Sequence, residues 1–277
     1  MKMDRLMTEV YREDLQSVCM EKLPFEKLKN KKVLITGATG LIGTGLVDTL
    51  IFINKEKDLS MRIDIFCRNR RKAEQTFANY INDADMEKVH IIEGDLTKNI
   101  SLTEEYDYII HGGGNNHPAA FAKEPVETMR TALFGTMNFL DKLSKQKNQP
   151  VFLFLSSGEI YGNVAELEES GCREEVTGEV NPEAKRAAET LCRAYTEEYG
   201  LDTRVARLCY IFGATYQNES TKADVQFLQK AVRKEDIVLK SPGTQYRSYC
   251  YLRDAVAGIF YILLKGEKGE AYNVANP

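Results

Sequence analysis

No stretch of this sequence is apolar for long enough to cross a membrane: the longest runs, such as Val151 to Leu155 and Ile259 to Leu264, fall far short of the ~20 residues a spanning helix needs. The start of the chain carries Asp4, Glu9, Glu13 and Asp14 and lacks the apolar centre of a signal peptide, so a cytoplasmic location is expected. Excess positive charge is lacking too, and a net charge of -4 leaves no footprint for nucleic acid. The six cysteines (Cys19, Cys67, Cys172, Cys192, Cys209, Cys250) form no Cys-x-x-Cys pair, and several lie in apolar contexts, so they read as reduced packing residues. Histidine is scarce. His90, His111 and His117 stand at no ligand spacing, so no metal site is expected. Repeats, low-complexity tracts and flexible linkers are absent. What remains, 277 residues that are 43% hydrophobic and 28% charged, suits one α/β domain with a smaller lobe.

The most informative stretch runs from Lys32 to Gly43. Val33 to Ile35 is a short apolar run bounded by Gly37, and Leu41, Ile42, Leu46, Val47 and Leu50 then recur at helical spacing. Strand, turn and helix follow one another. Gly37, Gly40 and Gly43 let the backbone turn sharply and approach a diphosphate without a Cβ in the way, while the helix N-terminus presents free N–H groups to the anion. The expected dinucleotide contacts are therefore Gly37, Thr39, Gly40, Leu41, Ile42 and Gly43.

Residues 1–30 precede this strand and read as a charged helical extension with Leu6, Val10, Leu15 and Val18 on its buried side. A second strand is expected over Met61 to Cys67, followed by Arg68 and Asn69 where such folds meet the adenosine ribose, and a helix to Tyr80. No acidic residue stands there to accept from a ribose 2′-OH, and Arg68 suits a 2′-phosphate, so NAD and NADP both stay open; a solvated basic helix start is the plainer alternative. Strands are also expected over Val89 to Leu96, with Asp95 and Leu96 at its end, and over Tyr106 to His111, opening into Gly112, Gly113 and Asn116. Asp95 suits the adenine amine or is simply a turn residue. A helical tract over 119–147 leads to a fifth strand, Val151 to Leu155, and then to Ser157 and Glu159. The next helix opens at Asn181, read as its N-cap, with Pro182 at the first helical position and Lys185 one turn in. A sixth strand over Thr203 to Leu208, a helix over 222–234, a strand over 237–240 and a helix over 253–265 complete the chain. The expected fold is an α/β Rossmann-type doubly wound parallel sheet. Its domain is expected over 31–208, with a small C-terminal substrate-binding lobe over 209–277 to which 163–180 contributes.

TGATGLIG at 36–43, GDL at 94–96, SSGEIYG at 156–162, the Lys185 helix, QYRSYCYLRDAVAGIFYIL at 245–263 and GEAYNVAN at 269–276 together resemble the extended short-chain dehydrogenase/reductase family of NAD-dependent nucleotide-sugar epimerases and dehydratases. SSGEIYG is most similar to the variant in sugar 4,6-dehydratases and UDP-glucuronate decarboxylases. The resemblance implies transient oxidation of a sugar hydroxyl by a nicotinamide cofactor. In that arrangement Ser157 orients the hydroxyl, Glu159 abstracts a carbon-bound proton, Lys185 binds the nicotinamide ribose, and Asn116 and Arg247 meet the substrate. It also implies a homodimer through the helices over 119–147 and 182–199.

The sequence departs from that pattern where protons are moved. The tyrosine expected four residues before Lys185 is Asn181, which cannot form the anion that removes a hydroxyl proton. Ala132 stands for a helix asparagine, Tyr210 for the strand asparagine that helps hold a substrate diphosphate, and Gly158 for an aspartate or serine. The sequence stops at Pro277, where relatives continue into another helix, which reads as a truncated C-terminus. Two readings follow. In one, Glu159, Tyr161 or a residue of the 163–180 loop fills the vacancy at 181; in the other, the protein binds cofactor in a structural or regulatory role with little catalysis.

Overall fold

The structure is a computed structural model that describes residues 5–81, 89–100, 102–114, 118–162, 179–216, 222–239 and 247–276. The N-terminal extension forms α1 (Glu9–Cys19), which lies across the domain with Tyr11, Leu15, Val18 and Cys19 buried. Val10, expected on this stripe, is instead 61% exposed. The helix is rotated by about one residue because Tyr11 has a partner inside: its hydroxyl donates to Asp48, a carboxylate with no exposed surface that also takes both arms of the Arg5 guanidinium at 2.6 and 2.8 Å.

Strand and helix then alternate. β1 (Lys32–Thr36), α2 (Leu41–Glu56), β2 (Arg62–Cys67), α3 (Arg70–Thr76), α4 (Ala78–Ile81) and β3 (Val89–Glu93) make the first half. β4 (Tyr108–His111), α5 (Pro118–Lys123), α6 (Pro125–Leu143), β5 (Val151–Ser157), α7 (Val180–Tyr199) and β6 (Asp202–Leu208) make the second. β7 (Tyr210–Phe212), α8 (Ala223–Arg233), β8 (Tyr249–Tyr251), α9 (Leu252–Lys265) and β9 (Ala271–Val274) follow. The main sheet runs β3-β2-β1-β4-β5-β6-β9 with every pair parallel, while β7 and β8 form a separate two-stranded parallel sheet. The 209–277 segment thus supplies both the small sheet and an edge of the large one. A parallel sheet is buried on both faces, which is why Val33, Leu34, Ile35, Ile109, Ile110, Phe152 and Leu153 form unbroken apolar runs. One face is covered by α1, α2 and α9, the other by α6 and α7, where Phe139, Leu143 and Cys192 meet Phe152 and Phe154.

Strand order reverses between β1 and β4, and the carboxyl ends of the strands there form the crevice where such sheets bind ligands. Three expected elements differ. The tract over 119–147 is two helices, because Pro125 has no N–H to continue the first and forces Glu124 out of helical geometry (φ -133°, ψ 57°). The helix expected to reach Tyr80 is split into α3 and α4 at Phe77, whose fully buried ring pulls the chain inward. Ile237 to Leu239 is exposed and irregular instead of a strand: it finds no sheet edge among the described residues.

Candidate active site

The glycine turn joins β1 to α2 and passes closely over the end of β4. Gly37 has φ +71°, and a Cβ there would lie 2.5 Å from the Gly112 carbonyl oxygen. At Gly43 a Cβ would lie 2.3 Å from the Gly37 carbonyl oxygen, so the third glycine is fixed by helix-against-turn packing. Gly40 is different. It is the N-cap of α2, and its Cβ would meet only the Gly37 oxygen at 3.3 Å and otherwise open space. That opening, in front of helix N–H groups with no preceding carbonyls, is shaped for a diphosphate. The Leu41 carbonyl is held by the Thr215 hydroxyl at 2.7 Å, which fixes the first turn of α2.

Beneath the turn lies a brace that the sequence did not reveal. Thr36 Oγ1 accepts the Gly113 N–H at 2.8 Å and meets His111 Nδ1 at 2.9 Å. His111 is fully buried among Phe139, Phe152 and Phe154, and its Nε2 has no hydrogen-bond partner among the described residues. Burial, helped by the nearby Lys185 ammonium, lowers its pKa to about 3, so it stays neutral and serves as a packing and hydrogen-bonding strut.

At the end of β2, Asn69 caps α3 by accepting the Lys72 N–H at 2.9 Å. Asp95 accepts both the N–H and the hydroxyl of Thr97 through Oδ1, and these bonds hold its carboxyl below the usual range, with Arg68 adding a smaller pull. Leu96 is buried against Gly113 and Gly135, leaving little of its side chain for a ligand. Asn116, His117 and the loop residues 163–178 lie outside the described residues.

β5 delivers Ser157 and a single 3-10 turn, Gly158–Tyr161. Ser157 Oγ accepts the Glu159 N–H at 3.2 Å, which leaves its own hydrogen undirected by that bond. A Cβ at Gly158 would stand 3.3 Å from Cys209 Sγ, so glycine suits the close approach of this turn to the β6–β7 link. Asn181 is not the N-cap of α7. Glu179 is, and Asn181 sits buried inside the first turn with its Nδ2 donating to Glu159 Oε2 at 2.9 Å. A tertiary carboxylate outcompetes the local backbone for this amide. The other oxygen, Oε1, receives the Tyr210 hydroxyl at 3.4 Å, and the Arg247 guanidinium lies 4.2 Å from the Tyr210 ring centroid. Glu159 therefore meets the side chain at 181.

Tyr161 does not. Its hydroxyl accepts from Arg207 at 2.7 Å and donates to Asn273 at 2.9 Å, and Arg207 also pairs with Glu189, which takes the Ser156 hydroxyl. This buried chain links β5, β6, β9 and α7 and locks the strand end that carries Ser157. Its charges are paired and hydrogen-bonded, the condition under which such groups persist in an interior.

Lys185 is 6% exposed, with Nζ donating to the Leu155 carbonyl at 2.8 Å and lying 4.7 Å from the Phe154 ring centroid. Burial draws its pKa down to about 8, with Glu189 opposing. The folded value lies below the ordinary 10.5, so between the two the unfolded chain binds more protons and stability rises with pH. A shift of this size corresponds to about 3 kcal/mol. Urea unfolding at about pH 8 and about pH 10 should show Lys185→Met losing that rise relative to wild type. Identical slopes would remove Lys185 as its source.

Five cysteines, Cys19, Cys67, Cys192, Cys209 and Cys250, are free, and the described residues hold no cluster of metal-binding side chains and no helix long and apolar enough to cross a membrane.

Comparisons with known proteins agree on one group. The model of the NAD dependent epimerase/dehydratase family matches residues 33–275. UDP-glucuronic acid decarboxylase 6 of Arabidopsis thaliana is 29% identical over 256 residues, covering 90% of this chain and 70% of the relative. Among solved structures, dTDP-glucose 4,6-dehydratase DesIV of Streptomyces venezuelae with NAD bound superposes with a TM-score of 0.75 at 23% identity, over 88% of this chain and 75% of that one. WbmF of Bordetella bronchiseptica, in complex with NAD+ and UDP, gives 0.74 at 18%, over 90% and 74%. At these identities the superpositions speak for the fold.

Proposed function

The chain belongs to the NAD-dependent epimerase/dehydratase family, and from that membership we propose that it binds NAD and modifies a nucleotide-activated sugar, in the decarboxylase or dehydratase manner before the simple epimerase one. The observation that carries the reading is the Glu159 carboxylate, held between Asn181 and Tyr210 beside Ser157 at the carboxyl end of β5. A carboxylate supplies the proton acceptor that asparagine cannot, so the missing tyrosine does not empty the site.

The residues suit the cofactor. The opening at Gly40, the crowded backbone at Gly37 and Gly43, and the first N–H groups of Leu41 and Ile42 would hold its diphosphate, with Thr39 beside them. Arg68, Asn69, Asp95 and Leu96 would border the adenosine end, and Gly112, Gly113 and Lys185 the nicotinamide end. When bound, the nicotinamide supplies a reversible two-electron oxidant for a sugar hydroxyl. Ser157 orients that hydroxyl, and Glu159 takes up its proton. Arg247 meets the substrate diphosphate. A ketone formed on the ring acidifies neighbouring C–H groups and lets a carboxylate two bonds away leave as CO2, so one oxidation serves either outcome.

The test is a mass-spectrometric screen of the full chain with NAD against UDP-, dTDP-, GDP- and CDP-sugars, UDP-glucuronic acid included. Release of CO2 or loss of water from one of them is expected; turnover of none, with NAD bound, would favour a cofactor-binding protein without catalysis. The reading extends to a cytoplasmic homodimer paired through α6 and α7, whose outer surface exposes Val126, Phe134 and Tyr199.

A further inference from the structure

We propose that Tyr210 performs the proton transfer that the family assigns to the tyrosine four residues before the lysine, passing the proton of the substrate hydroxyl on to Glu159. The inference rests on the reading of the site as one that oxidises a nucleotide sugar. Two departures from the family pattern converge on one carboxylate: a phenol is lost at 181 and another is gained at 210, and both side chains hydrogen-bond to Glu159. Asn181 fixes Oε2 at 2.9 Å, which aims Oε1 at Tyr210. The Tyr210 contact is 3.4 Å, long for an O–H···O bond, so the phenol is not locked to the carboxylate and can turn to a substrate oxygen. Its backbone is firmly placed, with the Tyr210 N–H donating to the Ser248 carbonyl at 3.2 Å as β7 begins. The phenol itself is only half-buried. Tyr161, the other phenol nearby, is 4% exposed and committed to Arg207 and Asn273.

Burial and the Glu159 charge push the Tyr210 pKa up, with Arg247 opposing, so the phenol is protonated at neutral pH and acts as a relay instead of a standing anion. In the step, the substrate O–H bond breaks and its proton joins the Tyr210 oxygen, while the proton already on Tyr210 passes to Glu159 Oε1 and makes a carboxylic acid. The electron pair left on the substrate oxygen becomes the second bond of the ketone as the carbon gives up its hydrogen, with that bonding pair, to the oxidised nicotinamide of this family.

Tyr210→Phe keeps the ring and removes the hydroxyl. In the full chain with NAD and the sugar that wild type converts, its turnover should fall about 10²–10⁴-fold, the usual cost of losing a general acid–base group. Calorimetric affinity for the nucleotide sugar should stay close to wild type. An independent readout needs no turnover: alkaline difference absorbance of wild type against Tyr210→Phe isolates the Tyr210 ionisation in cofactor-free protein. The same difference in a Glu159→Gln background should move to lower pH, because the opposing carboxylate charge is gone. Wild-type turnover in Tyr210→Phe, or an unmoved ionisation in Glu159→Gln, overturns the inference alone. A wild-type protein that converts no nucleotide sugar overturns the functional reading and this inference with it.

Discussion

Glu159→Gln is expected to lower sugar-dependent turnover by about 10²–10⁴-fold while leaving the fold intact. The amide is nearly isosteric with the carboxylate, so Asn181 Nδ2 can still donate to its oxygen, and the Ser157 contact to the backbone N–H of residue 159 does not involve the side chain. What disappears is the negative charge and the ability to hold an incoming proton. Asn181→Ala is a milder change: it releases one oxygen of Glu159 but leaves the carboxylate and Tyr210 in place. Steady-state rates of the two variants, with melting temperatures as a folding control, decide the matter. Wild-type rates in Glu159→Gln, or a collapse confined to Asn181→Ala, would move the proton acceptor elsewhere.

The second large effect concerns the glycine turn. Gly40→Val should fold, since its backbone (φ -83°) suits an L-residue and the nearest atom to a new Cβ is 3.3 Å away, but its side chain would occupy the space in front of α2. Displacing the diphosphate from two backbone N–H donors, at about 1.5 kcal/mol for each bond to a charged group, should weaken NAD about a hundredfold. Gly37→Val should lose binding and stability together, because φ +71° is a left-handed conformation and a Cβ would press on the Gly112 carbonyl. Titration calorimetry on both variants measures this. Unchanged affinity in Gly40→Val would place the diphosphate away from the turn.

The alternation of strands and helices was readable because each strand of a parallel sheet is a short apolar run and each glycine turn marks a change of period. Ser157, Glu159 and Lys185 could be placed for the same reason: they follow a strand end or open a helix. The errors arose where a distant partner outranked a local preference. Asn181 preceding Pro182 carries every local sign of an N-cap, yet the Glu159 carboxylate, 22 residues earlier, takes its amide. Val10 looked as apolar as Tyr11, but only Tyr11 has a hydroxyl for Asp48. Tyr210 was legible only as a departure at a substrate-binding position; its meeting with Glu159 depends on how β5 and β6 end side by side. The Thr36–His111–Gly113 brace left no trace in spacing at all.

The N-terminal helix has a consequence for how the chain is made. Besides the Arg5 and Tyr11 contacts to Asp48, it is fastened by the Tyr251 hydroxyl to Asp14 at 2.5 Å and by Arg253 to Ser17 at 2.9 Å and to Glu21, partners 232 to 237 positions away. Contacts of such sequence separation form late. At about 5–20 residues per second, α1 leaves the ribosome roughly ten to fifty seconds before α9, with Tyr11, Leu15 and Val18 uncovered on that side. A helix made well before its partners is thus among the last elements to be fully covered, and in that interval its apolar stripe is the natural handle for a chaperone.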